Sequence, residues 1–116
     1  MEIKRYDTSA TMSRVTEVGD ILYFSGHVAS KGETMTEQAE ALFARYDELF
    51  AQFGTDKDHM VMATIYMPDI SKKPEFNEAW DKWITPGCAP ARVCVEAGLG
   101  DKPYMMEIAV IAVKTK

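Results

Sequence analysis

Three stretches of this chain are apolar at consecutive positions: Ile21-Leu22-Tyr23-Phe24, most of Met60 to Met67, and Val110-Ile111-Ala112-Val113. Successive residues of a strand point to opposite faces, so each stretch needs cover on both sides of a sheet. The sequence offers two helices for that purpose. Thr34 with Glu37 three residues later is a capping box. It opens a helix with Ala39, Leu42, Phe43, Tyr46, Leu49, Phe50 and Phe53 at helical spacing, and Gly54 suits its C-terminal end. Pro74 opens a second helix with an inner stripe of Phe76, Ala79, Trp80, Trp83 and Ile84, closed by Pro86-Gly87. Two such helices cover only one face of a sheet of about five or six strands. A further copy of the chain is the simplest cover for the other, which predicts an obligate homo-oligomer.

The remaining strands are expected near Glu2 to Tyr6 and Ser13 to Val18, with a Gly19-Asp20 turn before the strand that ends at Gly26. The predicted fold class is α+β: a mixed sheet backed by two helices, in the order β-β-β-α-β-α-β-β, as a single domain over residues 1–116. A hydrophobic content of 47% is enough for one core, and 116 residues are too few for two. Met1 to Arg5 lack the apolar run of a signal peptide, and no stretch of about 18 apolar residues is present, so a cytoplasmic protein without a membrane partner is expected. Cys88 and Cys94 are not in CxxC spacing and read as reduced thiols. A net charge of −5 is unfavourable for binding a phosphate backbone, so no nucleic-acid partner is expected. His27 and His59 are not in a ligand-spaced motif, so neither a metal nor a cofactor is called for. A small molecule is the partner class that remains.

The chemistry concentrates near the C-terminus. Pro90-Ala91-Arg92-Val93-Cys94-Val95-Glu96-Ala97-Gly98 and Tyr104 to Val113 read as a β-hairpin. With an even loop, Arg92 and Cys94 share a face with Met105, Glu107 and Ala109, which sets a guanidinium beside a carboxylate. Two readings of that pair stand together: a ligand clamp, or a salt bridge at a subunit boundary, with Glu96 as another partner for Arg92.

The motif Pro90-Ala91-Arg92-x-Cys94-Val95-Glu96, Glu107-Ile108 fifteen residues after the arginine, Ser25-Gly26 after an apolar strand, and Asn77-x-x-Trp80 together resemble the Rid (YjgF/RidA) family. Its members are reactive-intermediate imine deaminases, historically also described as L-PSP endoribonucleases. The resemblance spans essentially the whole chain. It implies a chorismate-mutase-like fold, a homotrimer with clefts between subunits, and hydrolysis of short 2-imino acids to 2-keto acids and ammonia. Carried over, Arg92 would bind the substrate carboxylate and Glu107 would hold or activate water. Cys94 and Ser25-Gly26 would line the cleft. The chemistry is coherent: a guanidinium fork matches a planar carboxylate, and a protonated imine is electrophilic enough to need only a positioned water and a proton carrier.

Two positions depart from the family pattern. Met12 stands where many deaminating members have the tyrosine of a Gly-Pro-Tyr motif, and His27 stands where they have glutamine after Ser-Gly. Methionine fills volume but brings no hydroxyl. His27 reads equally as an acid–base group or as a solvent-facing residue at a strand end. Cys94 reads as a small buried filler, and Ser25 as a residue of backbone geometry rather than a nucleophile. The alternative function is a non-catalytic small-carboxylate-binding or regulatory, chaperone-like protein of the same fold. An endoribonuclease stands further off, given the acidic charge.

Overall fold

The computed structural model describes residues 1–29, 31–100 and 103–115. Its strands are β1 (Ile3–Thr8), β2 (Ser13–Val18), β3 (Ile21–His27), β4 (Met60–Met67), β5 (Ala91–Glu96) and β6 (Glu107–Val113). The helices α1 (Met35–Gln52) and α2 (Lys73–Trp83) lie in the order expected from the sequence. Thr34 caps α1 as its spacing predicts: its hydroxyl accepts from the Glu37 amide at 3.1 Å, and Glu37 accepts from the Thr34 amide at 3.2 Å. Gly54, at φ 79°, takes the left-handed turn that ends the helix.

All six strands form one sheet in the order β1-β2-β3-β6-β4-β5. Neighbours are antiparallel except β4 and β5, which run parallel with α2 as the crossover between them. Here the structure corrects a sequence expectation. Ala91–Glu96 and Glu107–Val113 are not a hairpin, because β4 lies between them. β6 instead enters the sheet between β3 and β4, pairing Phe24 with Val110 and Ile65 with Ile108. The physical reason is burial: β6 is apolar on both faces and belongs at the centre, whereas β5 carries Arg92 and Glu96 and tolerates the edge. Residues 104–106, expected in the strand, precede it without strand geometry.

One face packs on the helices. Leu22, Phe24, Ala63, Ile65, Ile108, Val110 and Ala112 form a core with Ala39, Leu42, Phe43, Tyr46, Phe50, Phe76 and Trp80. Phe43 joins the two helices, stacking on Trp83 at 4.4 Å between ring centroids and meeting Phe76 and Trp80 edge-on. The other face carries Tyr23 and Ile111 side by side, with Val93 and Val95 towards the edge. Tyr23 and Val93 are each 43% exposed, so this apolar face is bare in the single chain, as the doubly apolar strands imply.

Gln38 of α1 ties the approach to β6. It is buried, donates to the Pro103 carbonyl at 2.7 Å and accepts from the Met105 amide at 2.9 Å. This clamp fixes where β6 begins, and Glu107 is its first residue.

Candidate active site

The ladder between β3 and β6 slips between Phe24, opposite Val110, and His27, opposite Ile108. Three steps on β3 therefore face two on β6, and Ser25-Gly26 form a β-bulge. On the bare face of the sheet the Glu107 carboxylate lies directly against Gly26. A Cβ at residue 26 would sit 2.7 Å from Glu107 Cδ and 2.9 Å from its Cγ. Glycine there serves the close approach of the carboxylate and not a left-handed backbone. The Ser25 hydroxyl is buried and has no hydrogen-bond partner among the described residues. A half-buried carboxylate thus lies against the bulge, which also carries a buried, unpartnered hydroxyl.

Met12 is 47% exposed in the turn between β1 and β2, whose Ser9 amide donates to the Met12 carbonyl at 2.8 Å. The pairings Thr8 with Ser13 and Val15 with Phe24 put this turn at the bulge end of the sheet.

His27 is neither solvent-facing nor beside Glu107. It is 2% exposed on the helical side of the sheet, with Nδ1 2.6 Å from the Ser25 carbonyl oxygen and 3.3 Å from Tyr46 Oη. Burial pushes its pKa below the ordinary value of 6.5, and the positive charges of Arg45 and Arg14 act in the same direction.

Arg92 also lies elsewhere. Its register partner on β4 is Ala63, a core residue, so its side chain leaves the sheet towards α2. There Nη2 donates to Asn77 Oδ1 at 2.8 Å, and the guanidinium carbon stands 5.2 Å from the Trp80 ring centroid and 5.9 Å from that of Phe76. That hydrogen bond, the only one it makes among the described residues, uses one of five N–H donors. No ion pair to Glu96 or Glu107 is formed. Cys94 is half-buried on the same face and packs against the core.

Arg92 pairs with Ala63 and Glu107 with Tyr66, three rungs and two strand spacings apart. At ~3.3 Å per rung and ~4.8 Å per strand their Cα atoms are roughly 14 Å apart, with the side chains on opposite faces. Within one chain Ser25, Gly26, Glu107 and Met12 share a sheet end, while Arg92 and Cys94 belong to the helical face. The expectation of a shared face fails because it rested on the hairpin. Sequence reasoning also missed the part played by Asn77, Phe76, Trp80 and Tyr46. The Asn77-x-x-Trp80 spacing, one turn of helix, is the signal that joins two of them.

Comparison with known proteins bears on the whole chain. The family described as Endoribonuclease L-PSP matches residues 2–114. A RutC family protein of Haemophilus ducreyi is 32% identical over 111 residues, covering 95% of each chain. The RutC family protein YoaB of Escherichia coli is 33% identical over 112 residues, covering 97% of this chain and 98% of its own. A solved structure of a YjgF-family protein from Neisseria meningitidis superposes with a TM-score of 0.94 at 36% identity, covering 100% of this chain and 98% of that one. The Rid-family protein YyfA of Yersinia pestis gives 0.83 at 26% identity, covering 91% and 90%. With the six-stranded sheet, its two helices and the Ser25-Gly26 bulge in place, the chain belongs to the Rid family, also named YjgF or L-PSP.

Proposed function

We propose that this protein hydrolyses short 2-imino acids to 2-keto acids and ammonia, in a cleft between two copies of the chain. The observation that carries the reading is the Glu107 carboxylate, seated against Gly26 of the bulge at the end of a bare apolar face. Arg92 faces the other way at the sheet edge, so a site that uses both residues takes Arg92 from one copy and Glu107 from the next. A homotrimer closes such contacts into three equivalent clefts.

In that cleft the Arg92 fork holds the substrate carboxylate, with Asn77, Trp80 and Phe76 fixing its direction. Water attacks the carbon of the protonated imine, and Glu107 takes the proton that water loses. The C=N electrons pass to nitrogen, giving a carbinolamine. Glu107 then returns the proton to the amine, the C–N bond breaks, and the hydroxyl gives its proton back through Glu107 to the departing ammonia as it becomes the ketone. Water and protonated imine are consumed, keto acid and ammonium are released, and no redox change occurs.

The test is keto-acid release from 2-iminopropanoate and 2-iminobutanoate generated in situ. Glu107→Gln is expected to lose about 10²- to 10⁴-fold in kcat. Arg92→Ala is expected to lose roughly 10- to 100-fold in kcat/KM, the worth of a charge-assisted hydrogen bond or two. Wild type that binds 2-ketobutyrate without accelerating hydrolysis would select the carboxylate-binding reading instead. Met12, which brings no hydroxyl to the bulge end of the sheet, is the observation that favours that second reading.

A further inference from the structure

A β-bulge removes residues from the ladder, and the carbonyls beside it must find donors elsewhere. In this chain they find them beneath the sheet. The Ser25 carbonyl receives His27 Nδ1 at 2.6 Å and lies 3.3 Å from Tyr46 Oη. The Ile108 carbonyl, one residue after Glu107 on the facing strand, receives Tyr46 Oη at 2.6 Å. The His27 and Tyr46 rings meet edge-on at 5.3 Å, and Nδ1 lies 3.3 Å from Oη. Both residues are essentially buried, at 2% and 1% exposure.

Resting on the proposed function, we infer that His27 and Tyr46 are positioning residues for Glu107. They hold the two backbone segments, Ser25-Gly26 and Glu107-Ile108, whose separation sets where the Glu107 carboxylate lies. The bulge is gripped from the helical face so that its other face can present the Glu107 carboxylate in fixed geometry. Both side chains are buried in the helical layer, beneath the sheet.

Protonation fits this role. Ser25 offers a carbonyl oxygen, so Nδ1 must carry the hydrogen, and the only other polar contact of the ring among the described residues is Tyr46 Oη. A neutral ring meets that requirement, and burial keeps His27 neutral. Glutamine, present after Ser-Gly in many deaminating members of the family, has an amide N–H that can make the same donation. Leucine fills the volume and cannot.

Four proteins test the inference: wild type, His27→Leu, His27→Gln and Tyr46→Phe. Each is assayed for hydrolysis of 2-iminobutanoate, for calorimetric affinity for 2-ketobutyrate and for melting temperature. His27→Leu and Tyr46→Phe are expected to lower kcat about 10- to 100-fold, the effect of a misplaced catalytic group. Affinity for 2-ketobutyrate, which Arg92 holds, should stay within about twofold, and His27→Gln should recover most of kcat. If His27→Leu does not fold, Tyr46→Phe, which removes one oxygen atom, carries the test. Unchanged kcat in the Leu and Phe variants would overturn the inference while leaving the imine hydrolysis intact. So would loss of keto-acid affinity in step with kcat, or a Gln variant as impaired as Leu. A wild type inactive on every imine would overturn the proposed function and this inference with it.

Discussion

Gly26 and Glu107 exclude any third atom between them, and that has a testable cost. In Gly26→Ala the new methyl would occupy the space of the Glu107 carboxylate, the mobile end of a flexible side chain, rather than backbone. The carboxylate is expected to swing away while the strand survives. Melting temperature should move little, and keto-acid release should fall about 10- to 100-fold. A variant that melts much lower would place the strain in the backbone instead. His27 makes a second prediction at this scale. Its pKa is lower in the folded chain than its ordinary 6.5, because burial disfavours the charged ring. The unfolded chain therefore takes up the proton first as the pH falls. The stability that neutral His27 confers is complete above pH 6.5 and is lost as the pH drops through the folded value. Melts between pH 7 and pH 5 should show wild type losing more than His27→Gln, and equal losses would sink the idea.

Among the elements, those whose signals are local were legible from sequence. β2 and β4 have the bounds that alternation and Pro68 suggest, and the Thr34 and Glu37 capping box is formed. Thr34→Ala should cost about 1 kcal/mol, read as a fall in melting temperature of roughly 4 °C. β5 and β6 show where local signals stop. Adjacency in sequence suggested a hairpin, but pairing is decided by the whole sheet, and a strand apolar on both faces belongs in its middle. Val110 to Val113 carried that signal, and it outweighs nearness along the chain. In the site, Ser25, Gly26 and Glu107 were legible because a family motif names them. Asn77, Tyr46 and the buried side of His27 were not, since their partners lie 15 to 62 residues away.

For the whole molecule, the decisive fact is that one sheet face is covered by helices and the other is apolar and bare. The proposed homotrimer would bury that face, and among the described residues no helix is long and apolar enough to cross a membrane. Arg92 at one edge and Glu107 at a central strand end lie on opposite faces, so the proposed site would divide each chain into two half-sites. Inheritance of activity would then be non-Mendelian at the level of the protein. Arg92→Ala and Glu107→Gln are each expected to be strongly impaired as pure trimers, yet chains of the two kinds co-refolded together should complement. A cleft works when its arginine comes from one parent and its glutamate from the other, which random assembly at equal dose gives in about one quarter of clefts. Recovery approaching that fraction of wild-type turnover would locate the reaction between chains. Two folded parents that stay silent when mixed would return both residues to a single chain. Activity in this protein would be a property that no one copy possesses and that two defective copies can lend each other.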